Sequence, residues 1–110
     1  ANFKYAKFST EVSFADSTFA DEADFKYTKF AETVDFTQVK FCDDANFKYT
    51  KFPRGVSFRN SIFQGDADFK YTDFFEPFDF EGMEFQDSAD FKYTKLEGKP
   101  FAPSALKSRR

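Results

Sequence analysis

The sequence predicts an all-β solenoid that winds four short sides into each turn, and three regularities predict it. A motif returns at a fixed step: Ala1-Asn2-Phe3-Lys4-Tyr5 reappears from Ala23, Ala45, Ala67 and Ala89, so the period from Ala1 to Ala23 is 22 residues and five copies fill the 110-residue chain. Within each copy a finer beat alternates steps of five and six residues, from Phe3, Phe8, Phe14 and Phe19 through to Phe80, Phe85 and Phe91, with Leu96 taking the next place. Two residues before each centre runs a column of small residues such as Ala1, Ala6, Val12, Ser17, Ala23 and Thr28, usually with a polar residue between the columns.

The first copy justifies each element in turn. Ala1 to Phe3 reads as small residue in, polar residue out, phenylalanine in, which is the period of a very short strand. Lys4 and Tyr5 make a corner, and Ala6 to Phe8 form the second side. Ser9 to Glu11 make a corner one residue longer, Val12 to Phe14 the third side, and Ser17 to Phe19 the fourth. Ala20 to Glu22 then make the second enlarged corner, diagonally opposite the first. Pro53, Gly55, Gly65 and Pro77 fall in the enlarged corners, where unusual backbone angles are expected. A helix fails the same test. At 100° per residue the two phenylalanines of each eleven residues would stand about 140° apart, leaving no single apolar face. Phe, Tyr, Thr, Val, Asp and Asn are also mediocre helix formers, and Pro53 and Pro77 interrupt the pattern.

End-to-end Ala-Asp/Asn-Phe-x-x units, as in Ala23-Asp24-Phe25-Lys26-Tyr27 and Ala67-Asp68-Phe69-Lys70-Tyr71, resemble the pentapeptide-repeat proteins over residues 1 to 96. The resemblance implies a right-handed quadrilateral parallel β-helix of four to five coils, no cofactor and no metal. It also implies a class in which some members imitate DNA and bind a topoisomerase. The chain departs from a strict five-residue step through the extra residue on alternate sides.

Composition closes off much of chemistry. Phenylalanine contributes 20 residues and tyrosine 5, while tryptophan and histidine are absent, so no imidazole triad or general base exists. One cysteine makes neither an internal disulfide nor a Cys/His zinc site. Cys42 sits beside Asp43 and Asp44, neighbours that disfavour a thiolate. Asp43, Asp44 and Asp66 lack the spacing of a cation loop, and Asp79, Glu81 and Glu84 on a convex face have no pocket to shift their pKa values. The expected protein is therefore not an enzyme. No stretch approaches the roughly 18 apolar residues of a membrane span. A start at Ala1 reads as a processed product or a piece of a longer chain. The lone cysteine and the lack of an Asn-x-Ser/Thr acceptor point to the cytoplasm.

Function must then lie on the outside, where charge is polarised. The residues flanking the first phenylalanine of each copy, and the one before the second, carry nine lysines (4, 7, 26, 29, 48, 51, 70, 92 and 95) against four acids, Asp24, Asp68, Asp73 and Asp90. The other sides hold fourteen acids against Lys40, Arg54 and Arg59. The candidate binding surface is thus Lys4, Lys26, Lys48, Lys70 and Lys92 with the tyrosine row Tyr5, Tyr27, Tyr49, Tyr71 and Tyr93. Phe75, at an outward corner, is expected to be an exposed contact point for a second chain. The favoured function is a structural or protein-interaction module with an unidentified protein partner. A DNA-mimicking, polyanion-binding or nucleic-acid-binding surface is the alternative.

The ends of a solenoid need cover. Residues 97 to 110 are expected to form a cap or flexible tail: an irregular lid in which Gly98, Pro100 and Pro103 break any strand. Phe101 or Leu106 would cover Phe80, Phe85 and Phe91, and the basic end from Lys107 to Arg110 would be mobile. Without that cover, end-to-end self-association is expected.

Overall fold

A computed structural model describes residues 1 to 101. The chain climbs as a parallel solenoid whose four faces are ladders of two-residue strands. The first face stacks Ala23–Asp24, Ala45–Asn46, Ala67–Asp68 and Ala89–Asp90, with Asn2 bridged to Asp24. On the second, Lys7–Phe8, Lys29–Phe30, Lys51–Phe52, Asp73–Phe74 and Lys95–Leu96 pair in that order. The third holds Val12–Ser13, Val34–Asp35, Val56–Ser57 and Phe78–Asp79, and the fourth Thr18–Phe19, Lys40–Phe41, Ile62–Phe63 and Glu84–Phe85. Residues pair in register with the residue one copy later, as in Ala23↔Ala45 and Lys7↔Lys29. Sequence period and coil period are therefore the same quantity. No helix among the described residues is long and apolar enough to cross a membrane.

Backbone donors alternate in direction around the coil. On the first face Phe25 N–H donates to the Asn46 carbonyl of the next coil at 2.7 Å, while on the second Lys29 N–H donates to Ala6 of the preceding coil at 2.9 Å. Each interior coil is thus tied above and below.

The phenylalanines form four columns. Phe3, Phe25, Phe47, Phe69 and Phe91 stack at 4.8, 5.0, 5.1 and 5.1 Å with ring planes within 8° of parallel. Across the interior, rings from opposite faces meet edge to face: Phe25 and Phe36 at 5.5 Å and 87°, Phe47 and Phe58 at 5.6 Å and 89°. One side-chain type therefore satisfies both aromatic geometries, offset stacking along the axis and T-shaped contact across it. The small columns lie inward as expected, and Ala23, Val34, Val39, Ala45, Val56 and Ala67 are buried.

Beneath the second face the small column is threonine, and it does more than leave room. Thr28 Oγ1 donates to the Phe3 carbonyl at 2.7 Å, Thr50 to Phe25 at 2.6 Å, Thr72 to Phe47 at 2.6 Å, and Thr94 to Phe69. These buried hydroxyls stitch each coil to the one before it. The polar residues between columns also have work. Asp24 Oδ1 accepts from Lys26 N–H at 3.0 Å, and Asn46, Asp68 and Asp90 repeat the bond, each closing the turn that follows.

Several expectations need correction. Left-handed backbone falls on the tight corners, at Tyr5, Asp16, Tyr27, Gln38, Tyr49, Asn60, Tyr71, Gly82 and Tyr93, where φ is positive in every copy. Among the enlarged-corner residues Gly55 does have φ +105°, but Gly65 is required for a different reason: a Cβ there would stand 2.6 Å from the Asp43 carbonyl carbon. Phe75 is half-buried, not exposed. In the fourth copy Phe78 stands where the copy before has Val56, and the column is distorted: Phe78 lies against Phe80 at 5.4 Å and the Phe58–Phe80 separation widens to 6.4 Å.

After Leu96 the chain forms a tight hairpin in place of an irregular lid. Glu97 and Gly98 both have positive φ, 53° and 78°, and Lys99–Pro100 returns antiparallel to Lys95–Leu96. Pro100 is tolerated because this strand is an edge. Phe101, its N–H donating to the Thr94 carbonyl at 2.8 Å, is buried with its ring 4.8 Å from Phe91 and 6.2 Å from both Phe74 and Phe80. The expectations for Leu106 and for Lys107 to Arg110 lie outside the described residues.

Replacing Thr50 by valine should lower unfolding free energy by about 1 kcal/mol, the net worth of one buried hydrogen bond. The loss stays modest because the Phe25 carbonyl keeps its second donor, Thr28 N–H at 3.0 Å. Thr18→Val, on an exposed position of the fourth face, is the control and should change denaturant midpoints little.

Candidate functional site

The basic side comprises the first and second faces and the tight corner between them. At that corner Phe25, Lys26, Tyr27 and Thr28 make a reverse turn closed by Thr28 N–H on the Phe25 carbonyl at 3.0 Å, with Tyr27 at φ 61°. The same turn recurs at Tyr5, Tyr49, Tyr71 and Tyr93 with φ between 59° and 63°. A left-handed tyrosine is uncommon, because its Cβ crowds the backbone. The tight corner imposes the angle, at Gln38 as at Tyr27, and here the rings offset its cost: the five stack at 5.0, 4.8, 4.7 and 4.9 Å, nearly parallel throughout. The row is therefore a rigid ladder whose inner ring faces are already occupied and whose edges look outward. Tyr27, Tyr49 and Tyr71 are about two-fifths exposed, at 36%, 40% and 41%.

The lysines divide into two columns. Lys4, Lys26, Lys48, Lys70 and Lys92 flank the tyrosines at the corner. Lys26 lies 5.7 Å from the Tyr27 ring centroid, and Lys70 reaches Asp68 at 3.7 Å and Asp90 at 3.8 Å. The second column lies on the second face, where Lys7 pairs in register with Lys29 and Lys29 with Lys51. Asp73 follows Lys51, and Lys95 follows Asp73. Among the described residues Lys7, Lys29 and Lys51 make no ion pair. The structure thus gathers every predicted lysine and tyrosine on one side but leaves Phe75 apart, half-buried at the corner between the second and third faces.

Between the tyrosine ladder and the enlarged corner at Pro53 the second face sinks into a groove of about 560 Å³, lined by Tyr5, Tyr27, Tyr49, Lys29, Lys51 and Pro53. Sequence reasoning gave the columns but not this groove. Its signal would have been the conjunction of outward Lys29 and Lys51 with a bulky corner residue at Pro53.

The opposite side is acidic and partly compensated. Arg59 bonds Asp79 at 3.1 Å and Glu81 at 2.9 Å, and Arg54 approaches Glu32 at 3.7 Å. The hydrogen bond to Asp79, followed by the charge of Glu81, holds the Arg59 guanidinium above its ordinary pKa. Among the described residues no group of three or more acidic or cysteine side chains is placed to hold a metal ion, and Cys42 is half-buried and unpaired.

A family model described as Pentapeptide repeats (9 copies) matches residues 25–73 and again 47–95, together more than half of the chain. No curated protein and no solved structure matches significantly.

The strained tyrosines generate a test of unusual sign. Tyr49→Ala loses two stacked neighbours and keeps a left-handed alanine, whereas Tyr49→Gly loses the same neighbours and relieves the backbone. The glycine variant should be more stable than the alanine variant by about 1 kcal/mol, the reverse of the order in regular structure. Denaturant unfolding of both variants measures the difference.

Proposed function

The chain belongs to the pentapeptide-repeat family, and on that premise we propose that it is a rigid, non-enzymatic interaction module that docks an acidic protein partner on its Lys/Tyr side. The family is generally not enzymatic, and the faces of this solenoid carry open grooves in place of an enclosed cleft. One observation carries the reading: Lys7, Lys29 and Lys51 stand directly beside one another, about 4.8 Å apart, with no acid between them. Like charges at adjacent ladder positions destabilise a sheet. The third face of the same chain avoids that cost by alternating Ser13, Asp35, Ser57 and Asp79. An uncompensated lysine column is what a docking surface for an acidic partner requires. The acidic side supports DNA imitation less well, since Arg59 sits between two of its carboxylates. Unpaired Cys42 fits work in a reducing compartment such as the cytoplasm.

Heparin serves as the polyanion probe. Retention on a heparin matrix should be clear at low ionic strength and fall at least tenfold in affinity by about 150 mM salt, with a further drop in Lys26→Glu and Lys48→Glu variants. No retention at any salt would leave the lysines and tyrosines as a shield for the corner and nothing more.

The described end of the solenoid carries a companion proposal, that residues 97 to 110 act as a cap separate from the coils of residues 1 to 96. Its support is Phe101 seated on Phe91, Phe74 and Phe80. Deleting residues 97 to 110 should preserve the β signal in circular dichroism while converting the protein to end-to-end oligomers. A monomer at high concentration in sedimentation would count against the cap.

A further inference from the structure

The groove on the second face has a composition that charge alone does not explain. Lys29 and Lys51, neighbours in register, both line it, and among the described residues neither makes an ion pair. One wall is the edge of the ladder formed by Tyr5, Tyr27 and Tyr49, and the other is the Pro53 ring, so both walls are largely apolar. The length is set by the coil rise: three tyrosines span two steps, about 10 Å along the axis.

The orientation of the rings selects the ligand. Because neighbouring tyrosines stack face to face at 4.8 to 5.0 Å, no base or ring can enter between them, and the wall presents the electropositive rims of the rings. A flat π system laid along the groove meets those rims edge to face. Negative charge on the same molecule meets Lys29 and Lys51, and among the described residues no carboxylate lines the slot to oppose it. A hydrated polyphosphate or sulfated sugar would use the lysines and waste both apolar walls. A neutral aromatic would use the walls and leave the lysines idle.

We propose that the groove between the tyrosine ladder and Pro53 is a binding site for a flat, elongated aromatic anion lying along the solenoid axis. This rests on the Lys/Tyr side being the docking side, and it goes beyond that reading by assigning a small-molecule class to one slot on it.

The probe is stilbene disulfonate, a flat aromatic dianion, titrated by fluorescence at about 150 mM salt, with an aliphatic disulfonate of equal charge as competitor. One equivalent should bind per chain, and the aliphatic dianion should compete at least tenfold less well. Lys29→Glu and Lys51→Glu should each weaken binding about tenfold. Tyr27→Gly should weaken it similarly while keeping the fold, because glycine suits φ 61° there. Lys40→Glu, on the fourth face, should leave binding unchanged. Equal competition by the aliphatic dianion, or losses no larger in the groove variants than in Lys40→Glu, would overturn the site. Retention on heparin, measured on the same preparations, separates the two failures: a chain that holds heparin but not the stilbene retains its docking side and loses this site.

Discussion

The rise of the coil is the constraint on which everything else depends. Parallel backbone hydrogen bonds fix neighbouring coils about 4.8 Å apart, and every side-chain column must live with that interval. A phenyl ring is thinner than this, so rings perpendicular to the axis would leave gaps. Tilted, nearly parallel rings close them, which is why centroid separations in the first column, 4.8 to 5.1 Å, track the rise while the planes remain within 8°. Phenylalanine suits such a column because it has no polar atom to satisfy and only two side-chain torsions to freeze. Where Phe78 replaces a small residue, the neighbouring column at once departs from the interval.

The same interval acts on the outside, where it turns each outward position into a row of identical neighbours. For tyrosine the result is favourable: stacking compensates a left-handed backbone that a lone tyrosine would rarely adopt. For lysine it is unfavourable, and only Asp73 interrupts the column on the second face. At the corner the cost is moderated by Asp68 and Asp90 around Lys70 and by the ring beneath Lys26. A solenoid therefore amplifies whatever its repeat specifies.

Much of this was legible in the sequence because period, register and column are one variable in such a fold. The beat from Phe3 to Phe91 defined the inward set, and the lysine and tyrosine positions followed as outward columns. What escaped notice depends on backbone angle or on a third neighbour. Nothing in the string Phe-Lys-Tyr-Thr announces that tyrosine takes the left-handed corner, since glycine or asparagine is the usual occupant. The threonine hydroxyls looked like small fillers because their acceptors lie 25 residues earlier, on the preceding coil. Glu97-Gly98 was a hairpin signal masked by Pro100, whose missing N–H does no harm on an edge strand. The groove was hidden because it needs Pro53 from the corner at one end of the second face and tyrosines from the corner at the other.

Rigidity decides how such a surface can recognise anything. Each exposed side chain on the basic side is anchored through a backbone bonded to the coils around it, and the tyrosines are further fixed by one another. A flexible lysine-rich segment would conform to many polyanions and distinguish few of them. A ladder with its ring edges held at a fixed pitch rewards ligands whose planes fall on that pitch, and the stacked rings lose little conformational entropy on binding, while the exposed lysine stems adjust to the charge. A ligand docked on this side would be selected by the hydrogen-bonded rise of the coil, the same quantity that packs the phenylalanine columns inside.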